Sequence, residues 1–344
     1  MKSRLKNLER AVCVLINQLL KVKRDQRLLL YIDQGSDIVL AETIRNAALE
    51  KGILVEIFEL DSFSELSDLS IKLAHKIETG CFDAICELSE QYFYQTLAWR
   101  KAIRLGSKIY SLCGLDVDAF VRCVGEVDHN MMFRFGNALK GILAKSKTLH
   151  IVTNNGTDIT MQMKKKNPIR RIISRAKKVG PYIFDPAGIL TETNRATFLG
   201  GQLAFRGIAE TINGTAVIDG YLWPPSKIGQ LSHPIVLHIK RGRVIEITGP
   251  SSASRLLQEW LADRDKEIQH FCIGFNPGAR LNGKILEAER VFGCLSLGIG
   301  KSPFHTDGIV RGPSMIVDNI TIEQDGSFID KDLSALEGKL RLCL

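Results

Sequence analysis

The sequence predicts an α/β N-terminal domain built on a small doubly wound parallel sheet, followed by a β-rich α+β C-terminal domain. Three observations carry this. Residues 27–115 alternate strand-like and helix-like segments; from about residue 147 the hydrophobic period changes from helical to alternating; and within residues 268–319 two histidines and an aspartate stand at spacings that let them meet. The expected organisation is a scaffold domain at 1–114 that includes an N-terminal helix, a helical bridge at 115–146, and a metal-binding catalytic domain at 147–344.

The N-terminal residues Leu5, Leu8, Val12, Leu15, Leu19 and Leu20 recur at helical spacing, which predicts an amphipathic helix packed on the body of the protein. LLLYID (28–33), ILVEIFEL (53–60), FDAICEL (82–88) and KIYSLC (108–113) read as strands, separated by helical runs at 38–51, 64–78 and 94–105. That order implies crossover helices on a parallel sheet. The first strand-to-helix turn, DQGSD (33–37), holds one glycine and no G-x-G-x-x-G, so it does not support a dinucleotide site. This half reads as a scaffold or an oligomer contact, and a homo-oligomer is expected. Residues 115–146 read as helical. Beyond them PIVLHIKRGRVIEITG (234–249) reads as a hairpin turning at Gly242, and SSASRLLQEWLADR (251–264) as a helix capped by Ser251 or Ser252.

With 344 residues, 45% hydrophobic and 24% charged, the chain has the composition of a globular protein with two cores rather than a disordered one. Eight cysteines are scattered without C-x-x-C pairs, which argues for a reducing, cytoplasmic setting. The N-terminus lacks the apolar core of a signal peptide, and no run is long enough to span a membrane. The net charge of +8 is concentrated in MKKKNPIRRIISRAKK (163–178), which has eight basic residues from Lys164 to Lys178 and no acidic ones. No aromatic residue is interleaved there, so a solvated arm is the expected reading and nucleic-acid binding is not.

The chemistry-bearing set is His270, His305 and Asp307. His305 and Asp307 form an i, i+2 pair, and an extended backbone sends alternate side chains to one face. His270 lies upstream in IQHFCIGF, which reads as a strand able to pair nearby. Two imidazoles and one carboxylate make the facial triad of a non-haem ferrous site with open positions. Taken alone, H-x-D recurs in many chains, and a histidine on a strand is commonly a surface or core residue.

From about Lys147 onward the chain resembles the aminopeptidase T (M29) superfamily, and within it the 2,5-dihydroxypyridine 5,6-dioxygenase branch. The resemblance rests on NNGTDITMQM (154–163), GGQLAF and ETINGTAVIDG (200–220), PIVLHIKRGRVIEITG (234–249), IGFNPGAR (273–280), LEAERVFG (286–293) and FHTDGIV (304–310), in family order. The peptidases hold two metal ions, but here Gln202, His270 and Ser296 stand where that pattern has glutamate, glutamate and histidine. The segment that should bring a tyrosine, GIGKSPF, has none. Among the matching ligand positions Glu289, His305 and Asp307 remain, too few anions for two cations.

The resemblance therefore implies a mononuclear Fe2+ dioxygenase that takes O2 and a small chelating aromatic substrate, with His270, His305 and Asp307 as ligands. The alternatives are a one-metal aminopeptidase-like hydrolase using Zn2+ or Co2+, and a non-catalytic metal-binding paralogue. Glu289 is a candidate general base or an acceptor that orients a ligand histidine, unless it merely pairs with Arg290 or Arg280. Gln202 is a candidate catalytic residue hydrogen-bonding the substrate, and Arg311 and Ser314 are candidates for gripping an anionic substituent. Cys272 shares a strand face with His270, either as a softer fourth ligand favouring zinc or as a buried apolar thiol. Asp158 reads as a turn residue, His129 as a surface residue, and His233 and His238 as structural.

Overall fold

The computed structural model describes residues 2–60, 66–163, 181–301 and 305–342; the basic run from Lys164 to Lys178 lies outside the described residues. The chain forms two compact units, Met1–His129 with Ala187–Gly200, and Asn130–Pro186 with Gly201–Cys343.

In the first unit five parallel strands stand in the order Leu54–Glu59, Arg27–Ile32, Ala84–Glu87, Lys108–Ser111 and Ala196–Phe198. The crossover helices are Ile38–Glu50, Leu66–Gly80 and Leu97–Leu105. Capping sets their ends: Asp37 accepts the N–H of Leu40, Thr96 accepts that of Trp99, and Gly106 closes the third helix at φ 87°. The helix Lys2–Val14 and the wider turn Leu15–Leu20 bury Leu8, Val12, Leu15, Leu19 and Leu20, whereas Leu5 is 53% exposed. The apolar stripe thus begins one turn later than its spacing predicts. The fifth strand, Ala196–Phe198, arrives more than eighty residues after its neighbour, and three residues are too few to carry a period. The helical stretch 115–146 is divided between the units: Val117–Phe120 and Val121–Gly125 belong to the first, and nearly all of His129–Lys145 to the second. Among the described residues no helix is long and apolar enough to cross a membrane.

The second unit holds two antiparallel sheets. Eight strands run in the order Arg243–Thr248, Ile235–Lys240, Asn213–Ile218, Asp158–Gln162, Thr148–Val152, Ser314–Val317, Ile320–Gln324 and Ser327–Phe328. Seven run in the order Gly229–Gln230, Tyr221–Trp223, Thr306–Arg311, Cys294–Ile299, Ile268–Gly274, Gln202–Arg206 and Tyr182–Ile183. The predicted hairpin turns at Arg241 and Gly242, both at positive φ. The helix Ser252–Leu261 comes after it with Ser251 in the cap position. The Ser251 hydroxyl makes no capping bond, and Ser254 instead donates to the carbonyls of Gly249 and Ser251.

One face of the seven-stranded sheet is apolar, with Phe205, Phe271, Leu295, Leu297 and Val310 all at 0% exposure. It lies against the eight-stranded sheet so closely that Ile218 occupies the place a side chain at Gly308 would need. At about 25 cal/mol per Å2 this burial dominates the stability of the unit. It also commits alternate residues of the same strands to the opposite face, where the polar side chains gather.

Glu87, at the end of a central strand of the first unit, is wholly buried. Its Oε1 accepts the N–H of Phe93 at 2.8 Å, and its Oε2 has no partner among the described residues. Burial pushes the carboxyl up, Ser111 and the Phe93 N–H partly offset this, and the charge of Asp33 adds to the rise, leaving it at about 7. A carboxyl raised in the fold contributes stability that is complete below its unfolded value and lost as pH rises through about 7. Glu87→Gln keeps the acceptor and removes the titration. Relative to wild type, its unfolding free energy should therefore gain up to about 3 kcal/mol between about pH 5 and pH 8 in denaturant unfolding. A difference constant over that range would show that Glu87 does not carry a raised proton.

Candidate metal centre

His270, Gly298 and Asp307 stand in one transverse row of three adjacent strands, His270 in register with Gly298 and Gly298 with Asp307. Strands lie about 4.8 Å apart, so the two outer residues start roughly 10 Å from each other. They meet because the middle position has no side chain: a Cβ on Gly298 would stand 2.5 Å from Cε1 of His270 and 2.8 Å from its Nε2. His270 reaches this row through an irregularity, because Ile268 pairs with Ile299 and His270 with Gly298, leaving Gln269 as an extra residue. Such a bulge re-aims the next side chain along the strand. Without it His270 would share the face of Ile268, against the apolar core.

Across the row, Nε2 of His270 lies 3.1 Å from Asp307 Oδ1, and Nε2 of His305 lies 3.1 Å from Asp307 Oδ2. The two rings stand edge to face with centroids 4.8 Å apart. One ligand atom from each of the three residues fits within 4.8 Å of the other two. Asp307 is 7% exposed. Burial would raise its carboxyl, but the charge on His305 and the hydrogen bonds from both rings outweigh it and hold the group well below the usual carboxylate range. Burial alone would lower His305; the charge and hydrogen bond of Asp307, then the charge of Glu289, push it up to about 9 instead. These shifts describe a carboxylate gripping two N–H donors, the charge pattern that a cation between the same three groups would replace.

The donor set also fits a cation through its unused atoms. Nδ1 of His305 is buried and has no hydrogen-bond partner among the described residues. Between His305 and Asp307, Thr306 points to the other face, where its Oγ1 accepts the indole N–H of Trp260 at 3.0 Å. The guanidinium of Arg264 covers that indole at 3.7 Å from the ring centre. The helix Ser252–Leu261 thereby pins the strand that carries Asp307 and begins just after His305.

Glu289 enters from the turn after the helix Ile285–Ala288, and Gly274 lets that turn approach, because a Cβ there would meet the carbonyl of Val291 at 2.4 Å. Burial and the charge of Asp307 raise the Glu289 carboxyl against the pull of Arg290 and both histidines. Arg290, 1% exposed, donates from Nη1 to Glu289 Oε2 at 3.1 Å and to the carbonyl of Leu286 at 2.6 Å, and from Nη2 to Gln202 Oε1 at 2.9 Å. Gln202 thus engages Arg290, so its Oε1 serves a buried cation rather than pointing free. Cys272, also on this face, is 3% exposed, and burial together with the charges of Glu289 and Asp307 pushes its thiol well above the usual range.

Other candidates are placed elsewhere. Arg311 ends the strand four residues beyond Asp307, opposite Cys294, half-exposed and 3.3 Å from Asp219. Ser314 is in the other sheet, its hydroxyl accepting the N–H of Asp325. His129, expected at the surface, is 6% exposed and bonds the carbonyl of Val124 at 2.8 Å. Gly298 was missed as a site residue, and Arg290, foreseen as a partner of Glu289, was not foreseen as the partner of Gln202. A glycine inside an alternating strand is the signal that could have found the first.

A family sequence model described as 2,5-dihydroxypyridine 5,6-dioxygenase matches residues 98–292, more than half of the chain. Among solved structures, the chain is similar to 2,5-dihydroxypyridine dioxygenase from Pseudomonas putida KT2440, with 16% identity and a TM-score of 0.76 over 96% of this chain and 99% of that one. It is also similar to wild-type AmpT from Thermus thermophilus, with 13% identity and a TM-score of 0.63 over 95% of this chain and 100% of that one. At these identities the likeness is one of fold. No curated protein sequence matches the chain significantly.

Gly298→Ala should displace the His270 ring and lower affinity for Fe2+ or Co2+ at least about tenfold in anaerobic calorimetric titration, with the circular dichroism unchanged. Wild-type affinity in this variant would mean that the ring does not need the space.

Proposed function

This chain belongs to the 2,5-dihydroxypyridine 5,6-dioxygenase family, and on that footing we propose that it is a mononuclear non-haem Fe2+ dioxygenase that opens the ring of a small hydroxylated aromatic or N-heteroaromatic. The observation that carries the proposal is the convergence of two imidazoles on the two oxygens of one buried carboxylate, at 3.1 Å each. His270, His305 and Asp307 would hold a ferrous ion, which would supply the electron-transfer chemistry that lets dioxygen react with a closed-shell ring.

The protein's own groups define the rest. Asp307 and Glu289 bring two negative charges and Arg290 one positive, so a divalent cation leaves the centre with a single positive charge. A monoanionic substrate, such as a ring hydroxyl that has lost its proton, balances it in a buried setting. Glu289, raised by burial and held by Arg290, is the group placed to relay that proton to solvent, and the charges balance once the proton has left the site. Thr306 and Trp260 hold the ligand-bearing strand still, which keeps the donors oriented.

A metal-dependent hydrolase is the second reading, because the same imidazole and carboxylate donors suit zinc or cobalt. The two separate in one experiment. Protein reconstituted anaerobically with Fe2+ should consume O2 with dihydroxypyridines or catechols, in proportion to substrate, and His305→Ala or Asp307→Asn should lose at least about a hundredfold of that rate. Release of amine from aminoacyl anilides without O2, and no uptake across the panel, would establish the hydrolase instead.

A further inference from the structure

Beside the triad lies a second group of donors that the proposed reaction leaves unused. His270, Cys272 and Glu289 each offer one ligand atom, and these lie within 4.8 Å of one another. Cys272 is two residues along the strand Ile268–Gly274 from His270, so both leave the same face. In the next strand Ser296 is in register with Cys272 as Gly298 is with His270, and Ser296 Oγ lies 3.5 Å from Glu289 Oε1. The carboxylate therefore stands over the row next to the one that carries the triad.

We propose that His270, Cys272 and Glu289 form a second, thiolate-bearing position for a thiophilic divalent cation of the zinc or cadmium class, competing with the triad for the shared ring of His270. Nitrogen, sulfur and oxygen donors in this number, with a water or Asp307 as the fourth, make a tetrahedral zinc set, and the sulfur selects zinc or cadmium over iron. Arg290 occupies Glu289 Oε2, which leaves Oε1 as the ligand atom. When the metal–sulfur bond forms, the thiol proton goes to solvent and nothing is oxidised or reduced. Thiolate, Glu289 and Asp307 then carry three negative charges against Arg290 and one divalent cation. A single ion is neutralised in the buried site, and two ions side by side are not. One cation at a time is the consequence, so the thiolate position acts on the triad as an inhibitory one; that consequence rests on the dioxygenase reading, whereas the binding itself does not.

Cadmium alone is the probe. The full chain carrying Cys13→Ser and Cys81→Ser, which removes the two exposed thiols among the described residues, is freed of metal and titrated with cadmium chloride under anaerobic conditions. The expected result is a sulfur-to-cadmium charge-transfer band that saturates at one equivalent, vanishes on adding Cys272→Ser and survives His305→Ala. No band in the parent, or an undiminished band with Cys272→Ser, overturns the proposal. Because a buried serine at 272 could disturb folding, Glu289→Gln gives an independent reading: the band remains and cadmium affinity falls at least about tenfold, and unchanged affinity counts against the site. With iron-loaded enzyme, the zinc needed to halve O2 uptake should rise about tenfold in Cys272→Ser. If no substrate elicits O2 uptake while the band behaves as expected, the catalytic reading fails and the metal position stands. Uptake without a band means the catalytic reading stands and the metal position fails.

Discussion

The centre depends on one contact: a buried carboxylate, Asp307, held between two imidazoles at 3.1 Å on either side. The antiparallel sheet does not favour this contact. It sets the strands of His270 and Asp307 two spacings apart and would ordinarily fill the interval with a side chain. Gly298 leaves that interval empty, and the extra residue Gln269 turns His270 to the face where the interval opens. Both devices cost regularity. A bulge leaves a residue outside the ladder, and a strand glycine gives up packing and backbone order.

The charges around the contact are arranged so that none is left alone. Arg290 is almost wholly buried, where an unpaired guanidinium would cost several kcal/mol, and it is satisfied by Glu289, Gln202 and the carbonyl of Leu286. Gln202 is informative here. Its side chain is a neutral amide, so it accepts a hydrogen bond from Arg290 without adding an anion. The amide thus braces the guanidinium. The brace holds Glu289, whose carboxyl is raised by burial and by Asp307, next to the triad it does not belong to.

The first unit shows what a doubly wound sheet looks like when its usual binding edge is closed. Between the strands Arg27–Ile32 and Ala84–Glu87 the connections leave in opposite directions, the place where ligands enter folds of this kind. Here Asp33 accepts N–H groups of Gly35 and Gln91 and the hydroxyl of Ser36, tying the two loops together. The side chain of Glu90 lies where a Cβ on Gly35 would be, so the protein's own carboxylate fills the first turn. Beneath it Tyr31, Phe93 and Trp99 pack edge to face, adding roughly 1 kcal/mol per pair beyond their burial.

By itself the sequence determined the class of each half, most of the long strands and helices, and a set of three side chains, His270, His305 and Asp307, that the fold brings together. Each of these is a local signal: a period of two or of 3.6 over a window, an i, i+2 pair on an extended backbone, a residue type with a chemical preference. The short strand Ala196–Phe198, the bulge at Gln269, the vacancy at Gly298 and the pairing of Arg290 with Gln202 were decided only by the tertiary structure. Each relates positions far apart in the chain, and their energies arise when strands or side chains meet. No window of sequence contains both partners, so the physical reason for their arrangement exists only in the folded protein.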